Sequence, residues 1–344
     1  MTTWALRHFG AVAREQQAVF RTTLSAAARQ PTDDKGKRHG HLLAHGSEVE
    51  NLYPGLRGPG GALEFFAERR IPWWRSSRSG DRRADPAYPG PTRNLASSQV
   101  SCVNFLLPLA SIPGALPALL QLIDPEVIDV EMIVDSDGFS SPVEFEWVGW
   151  LEPLEGGRKT RGAMVTSIDA LMVGQTRSGR RAYLFEWKYC EEYLRPENKG
   201  EGTKGNTRAA RYRHLYESQA SSFNGAIPFE DLLYDPFYQL TRMLLLGDRM
   251  LSEGLTEALR VDDFRIVVVC PTANQAFRHV APKTPIGKRL PPTTTVTDAV
   301  AMGLQDARRI EMAAQDQLVA ALRRGQLRGE LEPWLAYHAL RYGW

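Results

Sequence analysis

Cysteine is scarce in this 344-residue chain: Cys102, Cys190 and Cys270 are odd in number and far apart. They exclude a disulfide framework and a Cys-x-x-Cys metal site within one chain, and fit thiols buried in a reducing compartment. Surplus charge is also missing. Forty-two Lys and Arg against 40 Asp and Glu leave +2, so a nucleic-acid partner has to be held by a local patch rather than by the whole molecule's field. Lysine is rare, eight of the 42 cations, and one of the eight stands inside an apolar strand pattern. No uninterrupted apolar run of membrane length exists. The nearest, FLLPLASIPGALPALLQLI (105–123), is broken by Pro108, Pro113 and Pro117 and by Ser111 and Gln121. Lipid cannot satisfy the broken turns of a lone helix, so the run reads as buried helical pieces around a bend. The opening MTTWALRHFGAVAREQQ lacks the apolar centre of a secretory signal. A soluble, cytoplasmic protein with no membrane partner is expected.

What is present is a globular balance of 43% apolar and 24% charged residues, enough for one large domain or two ordinary ones. Three regions are expected: 1–93, a helix followed by a basic and aromatic loop region; 94–280, a central α/β core; and 281–344, a linker with C-terminal helices packed on that core. Residues 1–30 read as an amphipathic helix, followed by a polar, flexible Gly-rich stretch to about residue 61. Its His39, His41 and His45 have no cysteine or carboxylate cluster beside them, and read as surface-loop residues. Gly58, Gly60 and Gly61 are turn residues, because no Gly-Lys-Ser/Thr follows them. From Glu68 to Arg93 the chain carries Arg69, Arg70, Trp73, Trp74, Arg75, Arg78, Arg82 and Arg83. This is either a surface that tracks phosphates with cations and stacks bases on aromatic faces, or a solvated loop over the core.

A helix is expected over about 94–109, with Ser97 or Ser98 as its cap. β-Branched and aromatic residues in near alternation predict strands at 126–134, 143–150, 162–173 and 180–189. A basic helix follows near 206–218. Asp235-Pro236 reads as the start of another, with Asp as cap and Pro in the first turn. FRIVVVCP (264–271) is a fully apolar strand, a Pro/Thr-rich linker spans 281–297, and a long helical stretch runs from about Asp298 to Arg324. This order predicts an α/β fold, a mixed central sheet flanked by helices.

The chemistry centres on Leu184-Phe185-Glu186-Trp187-Lys188. Strand alternation puts Glu186 and Lys188 on one face, and burying both is costly unless each has partners. Asp169, in Ser167-Ile168-Asp169-Ala170, joins them if the two strands pair. A turn centred near Arg177–Ser178 sets Asp169 opposite Glu186; a turn centred on Ser178–Gly179 sets it opposite Lys188. Two carboxylates are hard ligands suited to Mg²⁺, and a lysine beside them can orient water and neutralise charge growing on phosphoryl oxygens. The alternative is a cross-strand ion pair on a solvated sheet face.

Asp169 followed 17 residues later by Glu186-Trp187-Lys188 on an apolar strand resembles the Asp…Glu-x-Lys core of the PD-(D/E)XK nuclease superfamily, the restriction-endonuclease-like fold. The runs SSQVSCVNFLLPLA, SIDALMV, FEWKY and DPFYQL are similar to those of a bacterial group of restriction-endonuclease-like proteins. The resemblance implies a helix–three strands–helix–strand core and divalent-metal-dependent cleavage of phosphodiesters, usually in DNA. It implies Mg²⁺ or Mn²⁺ bound by Asp169 and Glu186, with the Trp187 carbonyl completing the shell and Lys188 assisting the attacking water. Two departures stand out. Ile168 replaces the motif's proline, and the first helix carries no acid, for which Glu144 or, by preference, Glu146 can substitute, unless both are surface acids on an edge strand. Gln99 and Gln239 read as either site residues or buried hydrogen-bonded amides.

Arg208, Arg211 and Arg213, on the helix after the Glu-x-Lys strand, are expected to grip a phosphate backbone, as are Arg75 and Arg78; a solvated helix face is the alternative reading. Lys199 and Lys204 lie in the loop before that helix. A DNA endonuclease in restriction or defence is therefore expected, in which a homodimer would coordinate two cuts. The rival readings are a nuclease acting on RNA, and a dormant nuclease fold kept to bind nucleic acid or a partner.

Overall fold

The computed structural model of the chain describes residues 9–30, 33–34, 37–74, 90–135, 137–149, 154–155, 165–193, 196–252 and 259–344. In chain order the elements are α1 (Phe9–Arg21), the short ladder β1 (Asp33–Asp34) and β2 (Lys37–Arg38), α2 (Ala62–Glu68), α3 (Ser98–Ala110) and α4 (Ala115–Ile123). Strands β3 (Val127–Val130), β4 (Ile133–Val134), β5 (Ser140–Ser141), β6 (Glu144–Trp147), β7 (Ile168–Thr176) and β8 (Gly179–Trp187) follow. Then come α5 (Gly202–Tyr216), α6 (Phe237–Ser252), β9 (Asp263–Val269), α7 (Gln275–Arg278), α8 (Pro285–Arg289), α9 (Val296–Ala301), β10 (Ile310–Ala313), α10 (Gln315–Arg324) and α11 (Arg328–Tyr342). The result is a mixed α/β fold with a central mixed sheet flanked by helices. The chain divides into two compact units, one made of 1–125, 187–190 and 315–344, the other of 126–186 and 191–314.

In the first unit the apolar run 105–123 is two helices around a bend, and among the described residues no helix is long and apolar enough to cross a membrane. Ser97 caps α3 by accepting from the Val100 amide, satisfying one of the orphan donors of a helix start. Pro108 inside α3 removes the N–H that would pair with the Asn104 carbonyl four residues back. The polar stretch after α1 is not simply a surface loop: Leu42, Leu43, Asn51 and Leu52 are buried. Arg341 of α11 is fully buried among neutral partners, donating to Gln17, to the carbonyl and side chain of Asn51, to the Leu95 carbonyl and to the Tyr337 hydroxyl. Each of its donors is used, as a buried charge requires. Phe20, Tyr337 and Tyr342 present ring faces to the same guanidinium.

The second unit carries the six-stranded sheet, ordered β10-β9-β8-β7-β3, with β6 also on β7. β3, β6 and β8 are antiparallel to β7, and β10 is parallel to β9. The β7–β8 hairpin turns at Arg177–Ser178, with Thr176 opposite Gly179. Gly179 has φ 131°, a conformation side chains rarely adopt, and the Asp262 carboxylate occupies the space a Cβ would need. α6 packs on the sheet through Met243, Leu244 and Met250 in a core shared with Leu171, Leu184, Phe264 and Ile266. Gly247 lets the helix approach, since a Cβ there would collide with the Phe264 ring.

Three expectations need correction. The helical stretch 298–324 is interrupted: α9 ends at Ala301, and Ile310–Ala313 form β10 beside β9. Pairing with an apolar strand overrides the helix propensity of Glu, Met and Ala there. The linker 281–297 likewise contains α8, capped by Thr284, and the start of α9, capped by Thr295. In addition, α6 starts at Phe237, after a cis Asp235–Pro236 peptide, rather than at the expected Asp cap.

Candidate active site

The site residues are placed by strand register. β7 and β8 pair from Thr176↔Gly179 out to Ala170↔Phe185, and one step further along the same register Asp169 lies opposite Glu186. This is the first of the registers weighed from sequence, with a turn at Arg177–Ser178; an odd-length loop would have put Asp169 on the other face. On the other edge of β7, Phe145↔Ala170 and Trp147↔Ile168 bracket Glu146 opposite Asp169. Glu146, Asp169 and Glu186 thus occupy one row across three adjacent strands. Glu144 sits two residues away, opposite Leu171. Alternation puts that row on the side of Leu171 and Leu184, which face the α6 core. Glu186 and Glu146 are 1% and 3% exposed, while Asp169 is half-buried.

Glu146 departs from the strand in one respect: its φ is +48°. Left-handed backbone at a non-glycine residue costs about 1–2 kcal/mol and persists only where the surroundings impose it. The Ser167 hydroxyl donates to the Glu146 carboxylate at 2.9 Å, tying it to the segment entering β7.

That segment is held by a clamp the sequence reading missed. Glu155 accepts from the Thr166 amide at 2.9 Å, from the Thr166 hydroxyl at 2.5 Å and from the Tyr212 hydroxyl of α5 at 2.7 Å. Arg242 of α6 adds an ion pair at 3.3 Å and donates to the Thr166 hydroxyl at 2.9 Å. Burial alone would raise the Glu155 pKa, but the Thr166 and Tyr212 hydrogen bonds and the Arg242 charge hold it below the ordinary carboxylate value. Burial pushes the Tyr212 hydroxyl upward. The clamp fixes position 166, three residues before Asp169, to two helices. Its members are 11 to 87 residues apart in sequence, so no local pattern marks it.

Beyond Glu186 the chain passes into the other unit. There the Trp187 indole donates to Ser101 of α3 at 3.3 Å and packs against Phe105. The Lys188 carbonyl accepts from Gln315 at 2.8 Å, and the Tyr189 amide donates to Ser98 at 3.1 Å. The Ser-Ser-Gln-Val-Ser run therefore has a mechanical reading: Ser97 caps α3, while Ser98 and Ser101 hold residues 187–189. Lys188 itself is 8% exposed. Gln99 donates to the Pro72 carbonyl and accepts from the Trp74 amide, so its amide braces the chain at 72–74.

Among the candidate phosphate-gripping residues, Arg208 donates to the Lys199 carbonyl and lies over the Tyr238 ring, and Arg213 pairs with Glu230 and Glu217 over the Phe229 ring. Arg211 is half-buried and Lys204 exposed. Lys199 pairs with Glu197 and Asp235. Gln239 is half-buried on α6. Arg75 and Arg78 lie outside the described residues. Among the described residues no group of three His, Cys, Asp or Glu side chains is disposed to hold a metal ion.

A family model described as "Restriction Endonuclease associating with ARP" matches residues 72–343. The chain belongs to this restriction-endonuclease family. The match spans the Asp169–Glu186 hairpin, Lys188 and α5, and gives the chain a nuclease-like character. No curated protein and no solved structure matches it.

Proposed function

We propose that this chain is a metal-dependent endonuclease of the PD-(D/E)XK type, hydrolysing phosphodiester bonds of DNA. The observation that carries the reading is the hairpin register that lays Asp169 beside Glu186. The donor set fits a divalent ion such as Mg²⁺ or Mn²⁺: two hard carboxylate oxygens from neighbouring strands, with waters and substrate phosphate filling the remaining positions. That no three His, Cys, Asp or Glu side chains among the described residues are disposed to hold a metal together is compatible with that ion, which commonly takes only one or two protein carboxylates.

Asp169 and Glu186, with the Trp187 carbonyl, would hold the ion, which when bound polarises the phosphodiester and acidifies a water. Lys188 orients the attacking water and offsets charge building on the phosphoryl oxygens. Glu146, across β7 from Glu186, extends the row and accepts a proton or orients water from the far side of Asp169. Arg208, Arg211 and Arg213, together with Arg75 and Arg78, grip the DNA backbone. The family's description couples such endonucleases to a component called ARP, and we extend that association to this chain, which in restriction or defence would act as a homodimer.

The test is incubation of plasmid, linear DNA and RNA with the protein in Mg²⁺, Mn²⁺ or EDTA, repeated with Asp169→Asn, Glu186→Gln and Lys188→Ala. Metal-dependent DNA cleavage lost in all three variants supports the proposal. Cleavage surviving all three overturns the site, and salt-dependent binding without turnover would identify a dormant nuclease fold.

A further inference from the structure

From Asn94 to Gly157 the sequence contains no Lys, Arg or His, but ten Asp and Glu. This cation-free stretch supplies one end of the sheet. β3 is the terminal strand of the sheet order, and its pairing with β7 shifts register between Val127 and Asp129. Ile128 sits at that irregularity, 57% exposed; Met132, just past β3, is 58% exposed, and Val134, in the short ladder β4 forms with β5, is 46% exposed. Val127 and Ile133, of opposite parity, are buried. Three large apolar side chains within seven residues, on a stretch whose charged side chains are all acidic, are more than scattered surface apolars.

We propose that this edge docks a basic, apolar-anchored segment of a protein partner. Charge decides the occupant. Glu126 and Glu131 are matched by Arg181 and Arg180, leaving Asp129, Asp135 and Asp137, among the described residues, as an acidic surplus. That surplus repels nucleic acid, and it disfavours a second copy, whose self-complementary face would set acid against acid. Lysine or arginine on the partner neutralises the rim while aliphatic side chains cover Ile128, Met132 and Val134. The irregular register and the charged rim impede simple extension of the ladder, so docking runs through side chains.

The test uses the full chain and a fluorescein-labelled peptide of alternating lysine and valine, followed by anisotropy, with an alternating glutamate–valine peptide as control. Binding of the basic peptide is expected to weaken about tenfold or more in Ile128→Asp/Met132→Asp and in Asp129→Lys/Asp137→Lys, about 1.4 kcal/mol per factor of ten. DNA cleavage should be unchanged in both variants, which separates this surface from the nuclease site. Unchanged peptide binding by folded variants, equal binding of the acidic peptide, competition by duplex DNA, or a dimer that the Ile128→Asp/Met132→Asp substitutions dissolve would each overturn the proposal. Circular dichroism confirms folding, and the exposed positions tolerate charge.

Discussion

Acidification should destabilise the first unit through His338. This residue is fully buried among the rings of Phe105, Trp334, Tyr342 and Trp344. Burial takes its pKa from 6.5 down to about 3; the Asn104 backbone, whose carbonyl Pro108 leaves without a helical donor, pulls the other way, and the Arg341 charge lowers it further. The folded pKa is depressed, so the unfolded chain takes up the proton first. Stability is complete above about pH 6.5 and is lost as pH falls toward about 3. At about 1.4 kcal/mol per pH unit, the loss between pH 7 and pH 5 is about 2 kcal/mol. His41, lowered to about 4 mainly by burial, acts in the same direction, so the measurement has to be differential. Urea unfolding followed by tryptophan fluorescence at both pH values, for wild type and His338→Phe, isolates the term: Phe suits an aromatic stack and cannot titrate. The variant should be less acid-sensitive by about 2 kcal/mol. Equal losses in the two proteins would refute the assignment of a neutral buried imidazole.

Other expectations concern the site and its supports. Glu155→Ala leaves Arg242 and the Tyr212 hydroxyl without their shared acceptor and should cost about 2 kcal/mol by thermal or urea unfolding, with Glu155→Gln recovering part of it. The depressed Glu155 pKa adds stability above the unfolded carboxylate value that is lost as pH falls through the folded one, so Glu155→Gln should flatten the acid limb of the unfolding profile. Glu146→Gly relieves the left-handed backbone by about 1 kcal/mol and forfeits a hydrogen bond of about 1 kcal/mol. Stability should therefore barely move while metal-dependent cleavage falls at least about tenfold; undiminished cleavage would remove Glu146 from the site. EDTA should abolish cleavage, and added Mg²⁺ or Mn²⁺ should restore it.

Much of the sheet was legible because its strands carry local signals. β-Branched and aromatic alternation marked β6, β7 and β8, and the apolar run marked β9. The hairpin register was legible only as a choice among two even-loop pairings and an odd-length loop that would turn Asp169 to the other face, since a turn of Arg, Ser and Gly is compatible with each. The left-handed requirement at Gly179 and its packing against Asp262 accompany the observed one. β10 escaped because Ile-Glu-Met-Ala has no strand character apart from β9. The Glu155 clamp escaped for a related reason: its acid lies in a polar turn, and its meaning depends on Thr166, Tyr212 and Arg242, far along the chain. The burial of Leu42, Leu43 and Leu52 was hidden by the Gly- and His-rich residues around them.

The guanidinium of Arg341 fastens α1, the segment around Asn51 and the entry to α3 to α11, a helix synthesised long after all three. On a ribosome, everything from residue 126 to residue 314 is made before those earlier segments can meet their central partner. The nascent amino-terminal third must therefore wait, uncompleted, through the translation of the whole sheet. Residues 187 and 189 are held by α3, already made, but the Lys188 carbonyl meets its donor, Gln315, only when α10 arrives. A chain interrupted before α10 would carry both carboxylates of the hairpin and yet lack the glutamine that holds the Lys188 carbonyl.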